Sequence, residues 1–255
     1  MTSPSFKKVF QSSSFTQHYL QDNYERLGIV KSKETAYENC YSVIYYIKMG
    51  NHFFDDGSKS SLAIQPVLLF YGLCHWLKAA VLTVDPTYPA NSQVLSHGLS
   101  TRKRKKKGYY FLQDEVRIQK EGLFPFLSEK LFHVKQFSGE KLSMRQLMYG
   151  ISELEDLLEQ LFPKKIHPPT QHNVLNKNET LKMLSATSNN ELPQILTYYA
   201  LLYQLSMICR YETEWWGELL YSFSSNDLPL IEQFLSISTD KCPILLENFF
   251  FSTEI

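Results

Sequence analysis

Residues 62–82 read LAIQPVLLFYGLCHWLKAAVL, and this run decides the fold. It is apolar almost all the way round a helical wheel, so a helix made from it must be enclosed by other helices. Pro66 fits the first turn, where its missing N–H costs nothing. Gln65, Pro66, His75 and Lys78 interrupt the run, and a charge near the middle of a membrane span is expensive. The expectation is a buried core helix and no membrane partner. At 100° per residue Tyr71, His75, Lys78 and Leu82 follow one another at spacings of four, three and four, which places three polar tips on one stripe. Such a stripe has two readings. Its tips can satisfy one another at a crevice, with Lys78 snorkelling to water, or they can face a ligand.

Working outward, the segment after the core helix carries two prolines, two glycines and clustered Ser, Thr and Asn (VDPTYPANSQVLSHGLSTRKRKKKG), which predicts a long ordered loop. It ends in six consecutive cations, Arg102, Lys103, Arg104, Lys105, Lys106 and Lys107, with His97 and Thr101 before them and Tyr109, Tyr110 and Phe111 just after. Cations displace the counterions of a phosphate backbone, and rings give bases a face to stack on. Nucleic acid or another polyanion is therefore the candidate ligand of this stretch. A solvated or self-neutralised loop and an acidic partner surface are the competing readings.

Helical periodicity accounts for most of the remaining chain. Phe15, Tyr19, Tyr24 and Leu27 give a first amphipathic helix that Gly28 interrupts, and Ala36, Cys40, Val43, Ile44 and Ile47 give a second, expected to end near Gly50 with DDGSKSS as a loop. A short strand or hairpin is expected near 109–120, around Val116 and Ile118. Leu147, Ile151, Leu154, Leu158 and Leu161 predict one helix over 142–162. A further helix begins around Asn190 with Pro193 in its first turn, and two short helices cover 227–237 and 242–251. The fold class is mainly α, a single-domain bundle over 1–255 of roughly eight helices.

Composition narrows the function classes. The chain has 255 residues and a formal net charge of zero, yet 1–100 carry +1, 101–150 carry +7 and 151–255 carry −8. A basic middle and an acidic C-terminal part can neutralise each other within the fold or across a dimer, or the basic part can meet an anionic partner. Cys40, Cys74, Cys209 and Cys242 form no C-x-x-C pair, and the N-terminus shows no uninterrupted apolar signal region, so a cytoplasmic protein is expected. The P-loop, dinucleotide, nucleophile-elbow and zincin motifs are all absent, and His167 with His172 lacks zinc-ligand company, so no cofactor and no structural metal are expected.

A second candidate cluster is Arg210, Glu212, Glu214, Trp215 and Trp216. On a continuing helix Arg210 and Glu214 are i, i+4 neighbours able to pair. If this pair faces the Tyr71, His75, Lys78 stripe, the residues Tyr71, His75, Lys78, Arg210, Glu214 and Trp215 make one pocket suited to acid–base or phosphate chemistry.

The runs SSLAIQPVLLFYGLCHWLKAAVLTVDPTYP, LSHGLSTRKRKKKGYYFLQDEV, IQKEGLFPFL and ICRYETEWWGEL together resemble the YaaC-like proteins over roughly 10–250. That resemblance implies a bacterial cytoplasmic protein without an assigned reaction. The pattern Pro66, Phe70, Tyr71, Lys78, Ala79 also looks like a helix of the HEPN superfamily, whose ribonucleases use an Arg followed four to six residues later by His. None of the six arginines here, Arg26, Arg102, Arg104, Arg117, Arg145 and Arg210, has a His at that spacing. The expected function is a non-catalytic binding module contacting nucleic acid or another polyanion. The alternatives are a regulatory homodimer and an enzyme built on the pocket above.

Overall fold

The computed structural model describes residues 5–102, 108–135, 138–163, 192–222 and 225–251. Its helices are α1 (Phe6–Val9), α2 (Ser13–Arg26), α3 (Ser32–Lys59), α4 (Gln65–Val84), α5 (Leu123–Phe132), α6 (Met144–Tyr149), α7 (Glu155–Leu161), α8 (Gln194–Tyr211), α9 (Thr213–Ser222) and α10 (Asp227–Phe251). The mainly α expectation is met, with ten helices among the described residues because α1, α6 and α7 are short pieces that periodicity alone does not resolve.

The expected core helix is α4. It packs against α2, α3, α5, α8 and α10. Leu69, Phe70, Leu73, Trp76, Ala79, Ala80 and Val81 are fully buried on it, and Pro66 lies in the first turn as expected. Its length and composition alone would let it cross a membrane, yet 67% of its most apolar window is buried inside the protein, as a core helix requires.

Small residues let α3 and α4 approach closely. A Cβ on Gly72 would stand 2.8 Å from the backbone nitrogen of Phe54, and one on Gly50 would collide with the Trp76 indole. Gly50 thus serves the contact between the helices and does not end α3. Buried Phe54 and Gly57 continue the core-facing period, and the helix runs through most of the DDGSKSS segment to Lys59, with Ser60 in extended backbone as its cap.

Two other expectations are corrected. The single helix over 142–162 is instead a short strand, β3 (Lys141–Ser143), followed by α6, a 3₁₀ turn (Ser152–Leu154) and α7, broken after Gly150; Leu147, Ile151, Leu154 and Leu158 still reach the core. The two short C-terminal helices are one, α10, which passes through Pro243. A proline there removes one helical hydrogen bond, but buried Cys242, Leu246 and Phe250 carry the apolar face across it. Tertiary packing outweighs that local loss.

The strand expected near 109–120 is β2 (Glu115–Ile118), the middle of a small antiparallel sheet in the order β1-β2-β3. Its partners, β1 (Leu99–Ser100) and β3 (Lys141–Ser143), pair with it through Leu99↔Ile118 and Val116↔Leu142. Val116 and Ile118 point into the core, and Arg117 points outward.

Candidate functional site

The polar stripe of α4 and the C-terminal turn of α8 meet. Arg210 is held in a fixed plane: its Nε donates to the Ser206 carbonyl at 3.0 Å, Nη1 to the Tyr71 hydroxyl at 3.3 Å, and Nη2 contacts the Met207 sulfur at 3.1 Å. The guanidinium carbon lies 5.7 Å from the Tyr71 ring centre and 5.1 Å from that of Tyr211, within range for a cation to gain from the ring face.

His97 joins the same cluster from the loop before β1. Its ring lies 5.0 Å from Phe70, 5.9 Å from Tyr71 and 5.8 Å from Tyr203. Its backbone is pinned to α8 by two tyrosine hydroxyls, Tyr199 donating to the His97 carbonyl and Tyr203 to the Leu99 carbonyl, each at 2.9 Å. Gly98 and Gly122, both with positive φ, complete the placement. Their backbones approach so closely that a Cβ on Gly122 would collide with Gly98. Glycine adopts that backbone without strain and leaves the room.

On the other side of the stripe, α3 supplies two aromatic walls seven residues apart, Tyr46 and Phe53. The Phe53 ring stacks on His75 at 5.5 Å and lies 6.0 Å from Tyr71, while Tyr46 lies 6.0 Å from His75 and its ring centre is 5.9 Å from the Lys78 ammonium. His75 Nδ1 is buried and has no hydrogen-bond partner among the described residues.

The electrostatics of the cluster are one-sided. Burial, then the charges of Arg210 and Lys78, push the His97 imidazole down to about 4, so it is neutral at neutral pH. Burial and Lys78 push His75 in the same direction. No carboxylate contributes to either shift, and among the described residues neither Lys78 nor Arg210 has an ion-pair partner.

Arg210 is in direct contact with Tyr71, His97 lies beside Tyr71, and His75 and Lys78 continue the same stripe of α4. Glu214 and Trp215 do not join them. The helix breaks at Glu212, so Arg210 and Glu214 lie on different helices, and Glu214 is exposed at the start of α9. The i, i+4 pairing fails for that reason, and the acid–base pair expected of the pocket lacks its carboxylate. Trp215 packs edge-on against Tyr109 at 4.7 Å. Periodicity does not single out Tyr46 or Phe53; their seven-residue spacing along one side of α3 is the signal that can find them.

Of the basic stretch, Thr101 is half-buried and Arg102 is exposed, with Glu115 at 4.0 Å. Lys103, Arg104, Lys105, Lys106 and Lys107 lie outside the described residues. The chain beyond them is anchored firmly. The Phe111 N–H donates to Asp227 at 3.0 Å, the Tyr109 hydroxyl to Asp114 at 2.7 Å, and the Gln204 amide also reaches Asp114. Two cavities lie apart from the cluster: an apolar one of about 120 Å³ under Leu77, Phe132, Ile195 and Phe249, and a polar recess of about 280 Å³ beside Ser58, Gln65 and Glu232. Among the described residues no group of three His, Cys, Asp or Glu side chains is placed to hold a metal ion.

An α4 core helix whose polar stripe meets the basic-run loop and the Arg210 turn is one arrangement built from the segments that carry the resemblance. The model of the YaaC-like protein family matches residues 8–190 and 166–250. This chain belongs to the YaaC-like family. No curated protein and no solved structure matches it. Family membership assigns no reaction, so the chemistry of this YaaC-like chain rests on its own side chains.

Proposed function

We propose that this YaaC-like protein is a non-catalytic cytoplasmic binding module for nucleic acid or another polyanion. Lys78 and Arg210, without ion-pair partners among the described residues, sit with His97 on one aromatic-walled face, and that convergence carries the reading. Arg102 stands five positions beyond His97, at most about 17 Å of extended chain, so the run Arg102 to Lys107 begins near the same face. Unneutralised cations gain from a polyanion by releasing its counterions, and Tyr46, Phe53 and Tyr71 offer flat faces to bases. Four free cysteines, three of them buried, fit a reducing compartment.

The test is retention of a labelled single-stranded oligonucleotide, measured over a salt series. Affinity should fall steeply with salt, and replacing Lys103, Arg104, Lys105, Lys106 and Lys107 with Gln should reduce the slope by about one for each phosphate that is no longer neutralised. Absence of salt-dependent binding to single strands, duplexes and heparin would remove the proposal.

A second reading, self-association, draws support from α3. Tyr37, Tyr41, Tyr45 and Met49 follow one another at steps of four and are 66%, 52%, 60% and 45% exposed, an aromatic row that single scattered surface residues do not resemble. Light scattering decides it: a strict monomer at high protein concentration excludes the homodimer.

A further inference from the structure

We propose that Arg210, His97 and Lys78 form a discrete site for a phosphomonoester, the dianionic phosphate carried by the end of a nucleic-acid strand or by a nucleotide. The inference rests on the anion-binding reading of this face and names the group that the face recognises. Arg210 and Lys78 supply two positive charges, and His97 can supply a third. A phosphomonoester carries about −1.5 to −2 at pH 7, whereas each diester link of a strand carries one negative charge. The charge of the cluster matches the former and exceeds the latter.

Geometry points the same way. Arginine has five N–H donors, and three of those of Arg210 are engaged with Ser206, Tyr71 and Met207, which leaves two on a guanidinium whose plane is already fixed. A planar fork of that kind suits phosphate oxygens, and little side-chain freedom remains to be lost on binding. His97 is held equally firmly through its own carbonyl and that of Leu99. The rings of Phe53, Phe70 and Tyr71 limit water around the cluster, and charge-assisted hydrogen bonds are stronger in such surroundings.

His97 adds proton linkage. Its titratable and charged neighbours among the described residues are Tyr71 and Lys78 on α4 and Tyr199, Tyr203 and Arg210 on α8. None of these neighbours is a carboxylate, so the protein by itself favours the neutral ring. A bound dianion reverses that preference, the imidazole takes a proton from solvent, and the imidazolium then donates to the phosphate. Binding is therefore accompanied by proton uptake at the ring.

The test compares two pairs of probes on the full chain: one oligonucleotide with a 5′-phosphate or a 5′-hydroxyl, and one nucleoside with or without its monophosphate. The phosphorylated member should bind about tenfold or more tightly, the scale of a charge-assisted hydrogen bond. Arg210→Gln should erase that ratio. Gln at 103–107 should weaken both strands and preserve it. A gain confined to the strand identifies a strand end, and a gain for the free monophosphate identifies a nucleotide. Calorimetry in two buffers of different ionisation enthalpy should show proton uptake that His97→Gln removes, with circular dichroism checking that each variant is folded and Arg210→Lys, which keeps the charge without the fork, retaining part of the ratio. Equal affinities within both pairs, or a ratio that survives both Arg210→Gln and His97→Gln, overturns the site. Preserved monophosphate binding without any salt-dependent polyanion binding overturns the polyanion reading and leaves the site standing.

Discussion

Gly72 of α4 rests directly on the backbone of Phe54 in α3: a Cβ built on it would lie 2.8 Å from the Phe54 nitrogen and 3.0 Å from its Cα. Backbone cannot swing aside as the tip of a side chain can, so Gly72→Ala forces the two helices apart. Overpacking of this sort costs about 1–3 kcal/mol, against about 1 kcal/mol gained from replacing a helical glycine. Gly217 in α9 is the natural control, since a Cβ there meets nothing within 4 Å. Chemical denaturation should show Gly72→Ala destabilised and Gly217→Ala stabilised by about 0.5–1 kcal/mol. Equal effects of the two would mean that the close helix approach is not a constraint.

Asp227 is the second structural test. The residue is 1% exposed, and its carboxylate accepts the Phe111 N–H on one oxygen and has no partner for the other among the described residues. Burial pushes its carboxyl above the usual range in spite of that hydrogen bond. The charged form is thus disfavoured in the fold, and unlike a typical paired carboxylate this group costs stability as pH rises through its unfolded value towards its folded one. Asp227→Asn keeps an acceptor for Phe111 and removes the buried charge, so it should be near neutral. Asp227→Ala strands the Phe111 N–H and should cost about 1–3 kcal/mol in urea titration. A loss as large for Asn as for Ala would show that the charge itself matters.

The legible part of the chain is whatever a single helix decides for itself. A run apolar on every side can only be enclosed, so α4 is readable down to the position of Pro66. Gly50, Gly57 and Pro243 mislead because their usual role as punctuation is local, whereas the reasons they are tolerated lie across the core, in Trp76, in Leu68 and Leu69, and in the apolar face of α10. The site divides the same way. Tyr71, His75 and Lys78 declare themselves by spacing on one helix. His97 attracts notice as a neighbour of the basic run, but what fixes it is a pair of tyrosine hydroxyls on α8, 102 and 104 residues further along the chain from the carbonyls they hold. Arg210 pairs with Glu214 only on a helix that continues through Glu212, and the break there leaves the guanidinium facing Tyr71 instead.

The lowered imidazoles make a prediction about acid. In the unfolded chain a histidine titrates near its ordinary 6.5, while in the fold burial with Arg210 and Lys78 holds His97 down to about 4 and burial with Lys78 lowers His75. Between those values the unfolded state binds more protons than the folded one, so stability must decline as pH falls from about 6.5 towards 4 and change no further through His97 below that. Asp85, lowered in the fold by its Thr87 and Lys130 contacts against the opposing effect of burial, loses its contribution only in the more acidic range where carboxylates titrate. The two sources therefore separate on the pH axis. His97→Gln should flatten the fall of the melting temperature between pH 6.5 and pH 4 and leave the steeper loss at lower pH unchanged. A saturating phosphomonoester should act on the wild type in the same direction over the upper part of that range, because it raises the folded-state proton affinity of the ring. If wild type and His97→Gln melt with identical pH profiles, the imidazole is not held neutral by Arg210 and Lys78, and the one-sided electrostatics of the cluster fail with it.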